Sequence, residues 1–268
     1  MINFSYKRPT SIINATKTFS ESEDGLFLAG GQTLLPVLKQ GLAMPSDIID
    51  LGDLQELKGI EEKNKSIIIG AMTTHAQVKN SPLIQKKIPT LANLAGFIGD
   101  PHVRNLGTLG GALANNDPSA DYTAAALGLG AIIYTDKRSI KSDEFFIGLF
   151  ETALDPDEII VKVEFPIPDK SGYAKFPNPA SRYAIVGVFV SSLTTNVRVS
   201  ITGAASCVFR QLDYENVLSR SFLTPDLAHI NIPSDELNTD LHASAEYRAH
   251  LIHIMTCRAV ASANGEIT

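Results

Sequence analysis

Two glycine-bearing segments carry the strongest chemical signal in this chain of 268 residues. The first, Leu28-Ala29-Gly30-Gly31-Gln32-Thr33, follows an apolar run and opens a helical one. The second is Asn105-Leu106-Gly107-Thr108-Leu109-Gly110-Gly111. Residues without side chains let backbone N–H groups converge on an anion, and a helix N-terminus adds partial positive charge. Thr33 and Thr108 add hydroxyl donors. Either segment alone reads most simply as a Gly-Gly turn, but the two together favour a phosphate-bearing ligand. Neither has the G-x-G-x-x-G or G-x-x-x-x-G-K-[ST] spacing, which counts against a Rossmann-type nicotinamide enzyme and a P-loop protein.

Other chemistry-bearing residues are sparser. Asp121 can accept hydrogen bonds from sugar hydroxyls, whereas a carboxylate beside a pyrophosphate would repel it. Asp117 reads as a turn or N-cap residue. His75 and His102 are the histidines of the first lobe, and His102 reads as a polar loop residue. Glu246, His250 and His253 fall at i, i+4 and i+7, a spacing open to a metal but better explained as a solvated helical face, so no metal site is assigned. Cys207 and Cys257 read as buried thiols, and two cysteines supply neither a disulfide framework nor the four thiolates of an iron–sulfur cluster. No acid–base pair or nucleophile stands out, so no catalytic residue is assigned.

Leu28 to Pro36 with Leu51, Ile69-Gly70-Ala71-Met72-Thr73-Thr74-His75, and Asp100-Pro101-His102-Val103-Arg104-Asn105 through Asp121 resemble the carbon monoxide dehydrogenase medium-subunit family. More broadly they resemble the FAD-binding subunits and domains of the xanthine dehydrogenase and aldehyde oxidase group of molybdenum hydroxylases. The resemblance covers nearly the whole chain. It implies that an A-G-G-[HQ]-[ST] loop, here Ala29, Gly30, Gly31, Gln32 and Thr33, wraps the FAD pyrophosphate. It also implies that Thr108, Leu109, Gly110, Gly111 and Ala112 reach the cofactor from the other side, with Asp121 on its sugar portion. Ile98 and Gly99, Ile160 or Val161, and Lys175 are further contacts implied by position. Gln32 stands where His is common, and Leu109 where Ile is common.

The resemblance implies dissociable FAD, since nothing resembles a covalent tethering motif. The molybdenum cofactor and the iron–sulfur clusters would lie in a large molybdopterin subunit and a small iron–sulfur subunit, as a heterohexamer of three subunit types. The chain would be the electron-transferring flavoprotein subunit, an oxidoreductase component with substrate oxidation in a partner. A stand-alone FAD oxidoreductase of the same fold superfamily remains an alternative, as does a scaffold that has lost its cofactor, although the intact glycine segments count against the latter.

The elements that must position these residues are legible as alternating signals. Leu26–Ala29, Ile48–Leu51 and Ile67–Gly70 read as buried strands, and Thr33–Gln40 as a short helix stopped by Gly41. A helix from Pro82 to Ile98 is bent or split at Pro89. Gly99 to Asp121 reads as a loop, Tyr122–Leu129 as a helix, and Ala131–Thr135 and Ile159–Phe165 as strands. A hairpin at Thr194-Thr195-Asn196 joins Ala184–Leu193 to Val197–Ala205, and a long helix spans Ala245–Ala263, with Leu251, Ile254, Met255, Ala259 and Val260 on its buried face.

These signals predict an α+β protein: a FAD-binding lobe over 1–170 of two small α/β subdomains, split near 55–65 and PCMH or vanillyl-alcohol-oxidase-like by resemblance, then a C-terminal lobe over 171–268 with an antiparallel sheet. The composition is 44% hydrophobic and 19% charged, that of an ordinary globular protein. A formal charge of −6 offers no field for nucleic acid. The longest apolar stretch, Ala124–Tyr134, is too short to span a bilayer, and the N-terminus lacks a secretory pattern, so a cytoplasmic location is expected.

Overall fold

The computed structural model describes residues 3–194 and 196–266. The chain is a mixed α+β protein built around three main sheets. The first contains β1 (Ser5–Lys7), β2 (Gly25–Leu28) and β3 (Asp47–Asp50), parallel in the order β1-β3-β2, with α1 (Ile12–Ser20) and α2 (Leu34–Lys39) as crossovers. Ser11 caps α1 by accepting the Asn14 N–H, a signal not read in the sequence. At the end of α2, Gly41 donates to Leu38 O and Leu42 to Val37 O, the paired bonds of a Schellman stop. A short 3₁₀ turn, Gln55–Leu57, leads out of this sheet.

The second sheet is antiparallel. Its strands are β4 (Ile60–Lys63), β5 (Ser66–Gly70), β6 (Ile132–Thr135), β7 (Ser139–Lys141) and β10 (Ile160–Pro166), in the order β4-β5-β10-β6-β7. Between β5 and β6 run six helices: α3 (His75–Asn80), α4 (Pro82–Lys87), α5 (Pro89–Phe97), α6 (Pro101–Leu106), α7 (Leu109–Asn115) and α8 (Asp121–Leu129). After β7 come α9 (Ser142–Phe145) and a small hairpin of β8 (Phe146–Gly148) and β9 (Glu151–Thr152). The chain does divide at Pro89, which starts α5.

The stretch from Gly99 to Asp121 is not one loop. Asp100 accepts from the N–H groups of His102 and Val103 and starts α6, with Pro101 in the first turn; Thr108 accepts from Gly111 N–H and starts α7. Side-chain caps outweigh the low helix propensity of Gly110 and Gly111 here.

The third sheet, antiparallel in the order β11-β12-β13-β14, contains β11 (Lys170–Pro177), β12 (Ala184–Leu193), β13 (Asn196–Thr202) and β14 (Phe209–Arg210). Leu193 pairs with Asn196 at the hairpin; Thr195 itself lies outside the described residues. Helices α10 (Leu212–Leu218) and α11 (Ala245–Ala263) complete the fold. On α11 the buried face carries Leu251, Met255, Ala259 and Val260 as expected, but Ile252 in place of Ile254, together with Arg248 and Thr256. Arg248 is buried because Ile185 O and Gly203 O need a donor, which its Nη1 supplies at 2.6 and 2.8 Å.

Every residue of α8 is buried, which makes it the central helix of the molecule. Its carbonyls are partnered by side chains of the third sheet: Ser191 donates to Gly128 O, Arg198 to Leu127 O and Ser200 to Ala124 O. Tyr173 and Phe189 of that sheet pack into the same apolar cluster as α8 and the second sheet, so one core runs past residue 170. Among the described residues no helix is long and apolar enough to cross a membrane.

Candidate functional site

A cleft of about 710 Å³ takes lining residues from all three sheet units. The first glycine segment forms one wall, with Ala29, Gly30, Gly31, Gln32 and Thr33 all in its lining. The start of α7 contributes Thr108, Gly110, Gly111 and Ala112. Ile98 and Gly99 close it from the end of α5, and Ser181, Arg182 and Tyr183 reach it from the turn between β11 and β12.

The two glycine segments face each other, and the glycines let them do so. A Cβ on Gly30 would sit 2.1 Å from Leu106 O and 2.8 Å from Gly107 Cα. One on Gly111 would come within 3.3 Å of Ala29 Cβ. Their polar groups differ sharply. The amides of Gly30, Gly31, Gln32 and Thr33 donate to no group among the described residues, and the Thr33 hydroxyl does not cap α2. In the second segment Leu109 donates to Thr73 O, Gly110 to Ala71 O and Gly111 to Thr108 Oγ1, which leaves the Thr108 N–H without a partner among the described residues.

Gly110 therefore serves close packing, since its Cβ would lie 2.6 Å from Ala71 Cβ. Free backbone donors at the cleft are therefore four on the first segment and, on the second, the Thr108 N–H. Leu109 is fully buried in the core and does not line the cleft.

Asp121 lies in the lining and is 4% exposed, but its oxygens are already partnered. Oδ1 accepts from the Tyr173 hydroxyl and Oδ2 from Lys175 Nζ at 2.9 Å. Burial pushes its carboxyl up from the usual carboxylate range, while Lys175 and Tyr173 draw it back. Lys175 also donates to Phe97 O and is not in the cleft lining, so it acts on the cleft through Asp121. Val161 is half-buried and packs against the core beneath the first sheet; its neighbour Ile160 is the residue that lines the cleft. Asp117 makes a turn, accepting from Ser119 N–H at 2.8 Å, and also borders the cleft.

Positive charge gathers where α5 ends. Arg104 donates to Ile98 O and Gly99 O, and Arg182 donates to Gly99 O at 3.0 Å. On the opposite side, Glu158 is buried in the lining. Burial disfavours its carboxylate, but hydrogen bonds from Arg138, Thr135 and the Asp155 N–H prevail and hold it at about 2.

Two lining residues were not singled out for the cleft in the sequence. His75 and Tyr122 are 4% and 0% exposed, and His75 Nδ1 and Tyr122 Oη have no hydrogen-bond partner.

Elsewhere, Glu246, His250 and His253 border a separate surface groove, and among the described residues no group of His, Cys, Asp and Glu is arranged to hold a metal. Both cysteines are half-buried rather than buried as expected, with Asn116 Nδ2 beside Cys207 and the His253 ring beside Cys257.

Comparison with known proteins gives a consistent result. Residues 2–168 match the family model described as the FAD binding domain in molybdopterin dehydrogenase. The nicotine 6-hydroxylase medium subunit of Paenarthrobacter nicotinovorans is 36% identical over 96% of each chain. The carbon monoxide dehydrogenase medium chain of Hydrogenophaga pseudoflava is 30% identical over 97% of this chain and 96% of its own. Among solved structures, reconstituted CO dehydrogenase from Oligotropha carboxidovorans superposes with a TM-score of 0.90 at 29% identity, covering 99% of both chains.

Proposed function

The chain belongs to the family of FAD-binding domains of molybdopterin dehydrogenases, and from that premise we propose that it is the electron-transferring flavoprotein subunit of a molybdenum hydroxylase complex. It holds FAD without a covalent bond and passes electrons from the iron–sulfur clusters of a small partner subunit to an external acceptor. A large partner carries the molybdenum cofactor and oxidises the substrate. The assembly contains two copies of each of the three subunit types.

The observation that carries this reading is the set of consecutive unpartnered amides from Gly30 to Thr33 on the wall of the cleft. Four consecutive N–H donors without an internal partner suit a pyrophosphate. The Thr33 hydroxyl adds a donor, and Thr108 Oγ1, which accepts from Gly111, still has its own proton to give. Asp121, fixed by Lys175 and Tyr173, keeps free lone pairs for sugar hydroxyls. Ile98, Gly99, Ala112 and Ile160 line the walls with little polar surface, Val161 packs into the apolar cluster beneath the first sheet, and Leu109 anchors α7.

Bound FAD supplies a carrier that accepts electrons one or two at a time, which joins a one-electron cluster to a one- or two-electron acceptor. The chain contributes binding, orientation and exclusion of water.

Affinity purification of the tagged chain from its own cells, with metal and flavin analysis, tests this. The expected product is a complex containing molybdenum, iron, acid-labile sulfide and FAD, whose flavin absorbance bleaches on reduction with dithionite and returns with an acceptor. A chain isolated without partners that turns over a substrate by itself would contradict it.

A further inference from the structure

Asp121 borders the cleft from the first turn of α8, and β11 supplies both side chains that hold it, Lys175 at Oδ2 and the Tyr173 hydroxyl at Oδ1. Two positions apart, Tyr173 and Lys175 share one face of that strand. The Tyr173 ring is fixed between Phe97 and Phe189, whose centroids lie 6.5 and 6.2 Å away. Its hydroxyl has room because the facing strand carries no side chain there: a Cβ on Gly187 of β12 would lie 2.7 Å from Tyr173 Oη. Glycine in the interior of a strand weakens it, and here it marks the close approach of a phenol.

Lys175 alone would leave Asp121 half-held. A carboxylate with one ammonium partner can pivot about its Cβ–Cγ bond and can take up a proton on the other oxygen. The Tyr173 bond opposes both, because it fixes the second oxygen and favours the ionised form. Burial pushes the Asp121 carboxyl up, while the Lys175 charge and then the Tyr173 hydrogen bond draw it down. Burial and the Asp121 charge push the Tyr173 phenol up, so Tyr173 stays the donor. The other titratable groups facing Asp121 are Tyr122 on its own helix and Tyr183 on the turn between β11 and β12, which also feels Asp117; burial pushes both phenols up and keeps them uncharged. Lys175 is the cation within ion-pair distance of Asp121 among the described residues.

We propose that Tyr173 is a positioning residue for the cofactor, its hydroxyl holding Asp121 as a fixed carboxylate acceptor at the cleft wall for the hydroxyls of the flavin's sugar portion. The inference rests on the FAD reading above. A carboxylate only accepts, which matches hydroxyl donors, whereas a protonated carboxyl accepts weakly and competes with its own proton.

The test is titration of the full-length apo chain with FAD from about pH 5 to 9, read by quenching of flavin fluorescence, with thermal melting of the apo chain at each pH. Tyr173→Phe keeps the ring and removes one hydrogen bond to a charged group, which raises the pKa of the Asp121 carboxyl by about one unit. Below its pKa the carboxyl is protonated, so affinity falls as pH falls. That fall should begin about one pH unit higher in Tyr173→Phe than in the wild type. Gly187→Ala, which displaces the hydroxyl and keeps the phenol, should move the profile in the same direction, and it carries the comparison if Tyr173→Phe does not fold. In the Asp121→Asn background, where nothing titrates at this position, adding Tyr173→Phe should leave the pH profile unchanged.

Coincident pH profiles for the wild type and the folded variants would overturn the proposal while leaving the FAD reading intact. So would a loss of affinity equal at every pH, the mark of a merely structural bond, or a shift that persists in the Asp121→Asn background. A wild-type chain that takes up no FAD at any pH, alone or in its complex, would overturn both.

Discussion

At His75 the burial of a titratable ring becomes a pH dependence. Burial first, and then the charge of Arg104, lower its pKa from 6.5 to about 4. The unfolded chain takes up this proton near 6.5 and the folded chain only near 4, so stability is complete above the higher value and is lost as pH falls between them. Across that window the loss is roughly 3 kcal/mol. Urea midpoints of the full chain at pH 7 and pH 4.5 should therefore differ more in the wild type than in His75→Leu. Equal differences would mean that the ring is solvated. The sequence supplied the histidine but not its burial, because residues 71–75 have no periodicity that separates a wall position from a loop. Tyr122 was legible only as the start of a helix. Asp121 was read as a contact to the sugar portion of the cofactor, but its partners Tyr173 and Lys175 are more than fifty positions away along the chain and could not be read.

The same ion pair links two elements, fastening β11 to the first turn of α8. Lys175 Nζ and Asp121 are almost wholly removed from water, with side-chain exposures of 4% and 5%. Lys175→Met would strand the carboxylate beside Tyr173, at a cost of about 3 kcal/mol as for other broken buried pairs. Combining it with Asp121→Asn should recover much of that loss, because an amide tolerates burial without a cation. Denaturation midpoints of the two single variants and the double variant would show this, and additive losses would contradict it.

Elements with their own local punctuation were readable: Pro89 divides α4 from α5, Gly41 stops α2, and the long period of α11 gives its limits. The run from Gly99 to Asp121 misled because four glycines and three asparagines break up its helix formers. The caps Asp100 and Thr108 start α6 and α7 all the same. The short edges β1, β7 and β14, each two or three residues long, carry too little pattern to be seen without their neighbours.

Across the whole molecule, three sheets that are separate in sequence place their loops around one cleft. The two glycine segments, 75 or so positions apart, meet only because β2 and the α6–α7 link are packed side by side by their own cores. Spacing within each segment counted against the familiar nucleotide folds, and the resemblance of the motifs pointed to the family that the matches over residues 2–168 and beyond now establish. What spacing could not reveal is the asymmetry of the two walls, with four consecutive free amides on the first segment and the amides of Leu109, Gly110 and Gly111 satisfied internally on the second. That difference depends on Ala71 and Thr73 accepting from α7, a contact between the β5–α3 link and α7 that only the folded chain creates.

The most direct measurement is the visible absorption spectrum of the purified chain after reconstitution with FAD, alone and within its complex, followed by acid precipitation. The account predicts a protein-bound flavin spectrum whose colour moves entirely to the supernatant. Colour retained in the pellet, or a folded chain that binds no flavin even with its partners, would contradict it.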